Sequence, residues 1–134
     1  MATRSTIALE YADGTVGQIY CHWDGYLDNN GKILYHSYQD PFIVRELLDN
    51  GDMSSLDRTV GSCTFYKERG EDCPQKMFKD FEDYAANHQH EEYEYILRKD
   101  GHWYVKAYDA AYVLLGEAIA EELRQSAEDE EALM

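Results

Sequence analysis

His22 and Asp24 stand two apart in the stretch QIYCHWDGYLDNNGKIL, residues 18–34. In an extended strand they share one face with Tyr20. Glu10, on the strand before, is expected near them across a hairpin. A histidine with two carboxylates is the kind of group that activates water, but three polar residues on an outer strand face are more commonly only solvated, and the sequence is read as non-enzymatic. Cys21 and His22 are neighbours and point to opposite faces, which argues against a thiolate–imidazole pair. Cys21, Cys63, Cys73, His88 and His90 carry metal-binding side chains, yet their spacing matches no common zinc pattern. Cys21 and Cys63 fall on apolar faces, where a free thiol packs as a small hydrophobe. No metal and no cofactor are expected. Gly14, Gly17 and Gly25 fit neither a P-loop nor a dinucleotide fingerprint.

Two other sets of side chains suit binding. The chain has 12 Tyr, 2 Trp and 4 Phe, and Tyr20, Tyr26, Tyr35 and Tyr38 gather around the same stretch. With Arg4, Lys32 or Arg45 they could stack a base and hold a phosphate. Tyr20, His22, Asp24, Tyr26, Lys32 and Tyr35 are therefore the candidate ligand or partner site. The second set is acidic. Against 12 basic residues stand 27 acidic ones, a net charge of −15; residues 1–60 contribute −5 and residues 61–134 contribute −10. Such a field repels nucleic acid, whose binding needs Lys and Arg on phosphates, and attracts basic surfaces, including those that normally hold nucleic acid. Asp80, Glu82, Asp83, Glu91, Glu92, Glu94, Glu117, Glu121 and Glu122, with Glu68, Glu71 and Asp72, are the carboxylates expected to imitate a phosphate track. The alternative is that the charge serves only solubility.

The elements that must position these groups follow from periodicity and turn signals. Residues 5–11 alternate as a strand with Ile7, Leu9 and Tyr11 on one face. Asp13-Gly14 is a hairpin signal, and residues 15–23 return with Ile19, Cys21 and Trp23 inward and Tyr20, His22 and Asp24 outward. Tyr26 and Leu27, in the loop that follows, are expected partly inward. A short helix is expected over 32–38, then a second begun by the cap Asp40 and by Pro41, with Phe42, Ile43, Leu47 and Leu48 buried, ending at Asn50-Gly51. Residues 52–60 read as a loop and 62–68 as a strand. Residues 75–87 read as an amphipathic helix burying Met77, Phe78, Phe81, Tyr84 and Ala85. A hairpin over 91–98 and 102–108 turns at Asp100-Gly101, with Tyr93, Tyr95, Leu97, Trp103 and Val105 sharing a face. A helix over 110–125 closes the chain.

The order ββ-αα-β-α-ββ-α implies an α+β fold: an antiparallel sheet of about five strands, two hairpins and one strand, covered on one face by three to four helices. At 134 residues the chain suits one domain, residues 1–127, with an acidic flexible tail over 128–134. Three cysteines, an odd number, fit a reducing compartment. Mean hydropathy is −0.65, no run of about 18 apolar residues offers a membrane span, and MATRSTIALEY lacks the apolar core of a signal peptide. The expected location is the cytoplasm, and the expected state a monomer or homodimer.

Thr3-Arg4-Ser5 with Ile7, then Asp13-Gly14, QIYCHWDGYL and Asn30-Gly31 together resemble a family of small proteins of tailed phages and prophages. The likeness continues at Cys63-Thr64-Phe65-Tyr66, Glu91-Glu92-Tyr93 and Trp103-Tyr104-Val105. It transfers no catalytic residue. It implies a phage origin and action in a bacterial host's cytoplasm, where small acidic phage proteins act in takeover and counter-defence. The sequence expectation is thus an inhibitor that binds a host protein with a basic surface, such as a nucleic-acid-binding or defence enzyme. The alternative is a protein that sequesters a nucleotide-like ligand through the aromatic cluster.

Overall fold

The computed structural model describes residues 2–108 and 110–133. Two hairpins form the centre. β1 (Ser5–Glu10) and β2 (Val16–Cys21) pair antiparallel from Glu10–Val16 to Ser5–Cys21. Gly14 supplies the positive φ of 92° at their turn, a conformation that costs glycine nothing, and Asp13 accepts from the Thr15 amide at 2.9 Å. β6 (Tyr93–Leu97) and β7 (Trp103–Ala107) pair in the same way around Asp100-Gly101. The hairpins join through β1 and β6, which run parallel with Ile7 opposite Tyr95. A parallel pair needs a long crossover, and the helices and short strands between the hairpins provide it.

The sheet is mixed, not antiparallel, and has eight strands, not five, in the order β4-β3-β2-β1-β6-β7-β8 with β5 also against β2. The additional strands are β3 (Met53–Ser55), β4 (Thr64–Phe65), β5 (Lys76–Phe78) and β8 (Val113–Leu114). Two or three residues are too few to display an alternating pattern, so these segments read as loop or as parts of neighbouring elements. Residues 62–68 hold only β4, set between two short 3-10 turns. Residues 75–87 divide: Phe78 pairs with Val16 in β5, and Asp80, accepting from the Asp83 amide at 2.8 Å, starts α3 (Phe81–Asn87).

Helices cover both sheet faces, where the sequence suggests one. α1 (Lys32–Ser37), α2 (Pro41–Asp49) and α4 (Leu115–Leu133) lie over Ile7, Leu9, Ile19, Cys21, Tyr95, Leu97 and Val105. α3 brings Tyr84 onto the opposite face, against Ala8, Val16 and Ile96. Sandwiched this way, β1 is buried along its whole length, as expected of a strand covered on both sides. The α2 stripe is Val44, Leu47 and Leu48; Phe42 is 78% exposed and Ile43 also faces out. Val44 with Leu47 and Leu48 makes the i, i+3, i+4 set, and Phe42 and Ile43 fall off it. Met77, on β5 and not on a helix, is also exposed. Trp23 lies past the end of β2 and is 45% exposed, because alternation stops where pairing stops.

α4 begins at Leu115, five residues later than expected, since Val113 first pairs with Val105 in β8. Gly116 admits the Tyr35 ring of α1: a Cβ there would lie 2.9 Å from it. The helix continues to Leu133, through most of the segment read as a tail; residue 134 and the side chains from 129 onward lie outside the described residues.

Glu10, expected beside His22, sits at the other end of the hairpin. It accepts from Arg98 Nε at 3.1 Å and from the Lys99 amide at 3.0 Å, while the Arg98 guanidinium lies 3.6 Å from the Phe81 ring centre. Burial pushes the Glu10 carboxyl up, but Arg98 and the Lys99 amide outweigh it and hold it below the ordinary 4.5. This pairing therefore stabilises the fold above pH about 4.5 and is lost as pH falls through the lowered value. Glu10→Gln is expected to flatten that part of the acid limb when urea stability is measured from pH 6 to pH 3; an unchanged limb would show that the pairing contributes nothing.

Candidate functional site

Much of the polar chemistry in residues 18–34 is spent on holding a loop. After β2 the chain forms one π-helical turn, Leu27–Gly31, at whose end Asn30 is fully buried. Its amide donates to Ser5 Oγ at 3.2 Å and reaches Cys21 Sγ and the Trp23 carbonyl at 3.4 Å. Tyr95 clamps the same loop, its hydroxyl donating to the Gly25 carbonyl at 2.6 Å. Burial pushes the Cys21 thiol up to about 12, so it is no nucleophile at neutral pH.

Of the proposed ligand site, Tyr20 and His22 meet, hydroxyl to Nδ1, at 2.8 Å, and His22 stands edge-on to Trp23. Asp24 adopts φ 57° at the turn, and its carbonyl accepts from the Asn30 amide at 3.2 Å. Tyr26 is exposed. Lys32 pairs with Asp28 at 2.5 Å. Tyr35 packs against Gly116 at the start of α4. Tyr38 is buried and donates to the Asp57 carbonyl at 2.7 Å. An open cavity of about 800 Å³ brings Asp24 and Lys32 together with His36, Asp57 and Arg58, but Tyr20, Tyr26 and Tyr35 do not line it. The tyrosines are thus distributed over several surfaces.

The acidic set also divides. Asp80 and Asp83 are engaged with backbone amides at the start of α3, Asp83 accepting from Lys79 at 3.0 Å. Glu94, expected on the surface, is 1% exposed. Glu82 is exposed, and Glu91 and Glu92 rim an open cavity with His90, Lys106 and Tyr108. Glu117, Glu121 and Glu122 lie on α4, where every described side chain from Ala120 to Glu128 is exposed. Glu121 pairs with Arg124. Glu122 shares a small groove with Leu27, Asp28, Lys32 and Leu123.

What places Glu94 inside is a polar centre on the α3 side of the sheet. α3 ends at Asn87, and His88 turns inward beneath it, its ring stacked on Tyr84 at 4.1 Å. His88 Nδ1 lies 2.5 Å from the Tyr84 carbonyl, and Nε2 meets Glu94 Oε1. His90 Nδ1 lies 3.2 Å from Glu94 Oε2. The Tyr112 hydroxyl donates to Oε1 at 3.2 Å, and Lys106 Nζ is 4.0 Å from Oε2. Burial pushes the Glu94 carboxyl up; His88, His90 and Lys106 outweigh it and hold it below the ordinary range. Burial pushes the Tyr84 and Tyr112 hydroxyls well up, so both stay protonated donors.

His88 and His90 stand out in the sequence as ligand-type residues, but Glu94 reads there as one of many surface acids. The even spacing His88, His90, Glu94 is the signal that could have joined them. Comparison with family models, with curated proteins and with solved structures gave no match. Among the described residues no helix is long and apolar enough to cross a membrane.

Proposed function

We propose that this is a binding protein and not an enzyme, and that it presents α4 to a basic surface on a protein partner. The observation that carries the reading is the composition and exposure of that helix. Residues 115–133 hold seven carboxylates and one cation, Arg124, on a helix about 28 Å long whose described side chains from Ala120 to Glu128 all face solvent. The run Glu128–Glu131 also lies toward the helix C-terminus, where negative charge opposes the helix dipole. A basic partner would relieve both that opposition and the crowding of like charge. With the phage resemblance, the partner class is a host protein that handles nucleic acid or serves defence, met in the host cytoplasm, and the outcome is inhibition by occupation of its basic groove. The dispersal of Tyr20, Tyr26 and Tyr35 favours this reading over sequestration of a nucleotide.

Capture from bacterial lysate tests it. The wild-type protein is expected to retain basic, nucleic-acid-binding proteins at about 50 mM salt and to release most of them at about 500 mM, where exposed charges are screened within a few ångströms. A variant with Glu117, Glu121, Glu122 and Glu128 changed to Gln is expected to lose at least tenfold of the captured protein while keeping its thermal stability. Equal capture by the variant would overturn the proposal.

A further inference from the structure

We propose that His88, His90 and Glu94 form a binding site for a divalent transition-metal ion of the zinc class. The three residues are spaced 88, 90, 94, which sets them on one side of the chain as it runs from α3 into β6. Their nearest ligand atoms, one from each residue, all lie within 4.8 Å of one another. Two imidazoles and one carboxylate are a donor set for zinc and its neighbours, and a poor one for magnesium, which requires oxygen.

The hydrogen bonding around His88 gives a second, independent reason. The Tyr84 carbonyl can only accept, so the Nδ1 beside it carries the proton. In the neutral ring Nε2 then presents its lone pair to Glu94 Oε1, and two acceptors face each other in a buried place. A cation held by both resolves that opposition. An imidazole fixed through Nδ1 to a backbone carbonyl, with Nε2 free for the ion, is the usual way a protein orients a metal-binding histidine. Stacking on Tyr84 locks the ring, and the Tyr112 hydroxyl fixes the carboxylate from behind. His90 has a side chain 58% exposed and borders the cavity of about 450 Å³ that Glu91, Glu92 and Lys106 also line. That side leaves a fourth position for water, as in zinc sites with three protein ligands. Lys106 opposes a cation, but at 4.0 Å it is beyond hydrogen-bond distance of Oε2, and the two rim carboxylates outnumber it.

The test uses chelator-treated full-length protein carrying Cys73→Ser, which removes the one free thiol that is not buried. Zn²⁺ is added and followed by calorimetry and thermal unfolding, with Mg²⁺ as control. One equivalent of Zn²⁺ is expected to bind, raising Tm by on the order of 10 °C at one hundred times Kd, and Mg²⁺ is expected to have no effect. His90→Ala, at an exposed position, is expected to keep the metal-free Tm within about 2 °C and to weaken Zn²⁺ binding at least tenfold. Absence of Zn²⁺ binding, or unchanged affinity in His90→Ala, would overturn the site and leave the centre a buried imidazolium–carboxylate pair.

Discussion

Trp103→Ala is expected to cost about 3–5 kcal/mol, the usual range for removing a buried indole, whereas Trp23→Ala should change stability by less than about 1 kcal/mol. Trp103 is 5% exposed in the core formed with Leu97 and Val105, and its Nε1 donates to the Tyr38 carbonyl at 2.8 Å. Alanine leaves a cavity and strips that carbonyl of its donor. Domains of this size hold only about 5–15 kcal/mol in total, so the variant should be close to unfolding at physiological temperature. Urea titration followed by circular dichroism measures both variants. Equal losses at the two positions would contradict the burial described here.

Gly51→Ala is expected to cost about 3 kcal/mol, against about 1 kcal/mol for Gly70→Ala. Both glycines have a φ near +80°, so both variants meet the left-handed penalty. At Gly51 the added Cβ would also come 2.3 Å from the Cys73 carbonyl oxygen, while at Gly70 nothing lies within 4 Å. The close approach has a structural purpose. The Asp52 amide donates to that same carbonyl at 2.8 Å, tying the 69–74 loop to the end of α2 and delivering β5 to β2. Thermal unfolding of the two variants should separate them by about 5–10 °C; equal Tm values would show that the loop yields freely.

Features carried by local chemistry were legible in the sequence. Asp13-Gly14 and Asp100-Gly101 marked both hairpins, Asp40-Pro41 and Gly51 bounded α2, and the shared face of Tyr95, Leu97, Trp103 and Val105 followed from alternation. Features carried by long-range pairing were not. The parallel contact of β1 with β6 leaves no mark in either strand beyond continuous burial, and β3, β5 and β8 are shorter than the period that would reveal them. Residues 75–87 misled because Phe78, Phe81 and Tyr84 fit one helical face while Asp80 divides them between a strand and a helix. At the candidate sites the same division holds. The acidity of α4 was plain in composition, although its reach to Leu133 was not. Glu94 was hidden among exposed acids, because only the tertiary fold places it under His88.

The most direct test of the account is hydrogen exchange on the complex with a purified basic host protein obtained by the salt-sensitive capture. Exposed helical amides exchange readily in the free protein. Binding is expected to slow exchange over residues 117–128 of α4 and to leave residues 20–35 unchanged. Slowed exchange over residues 20–35, with α4 exchanging as it does alone, would contradict the claim that the acidic helix is what the partner meets.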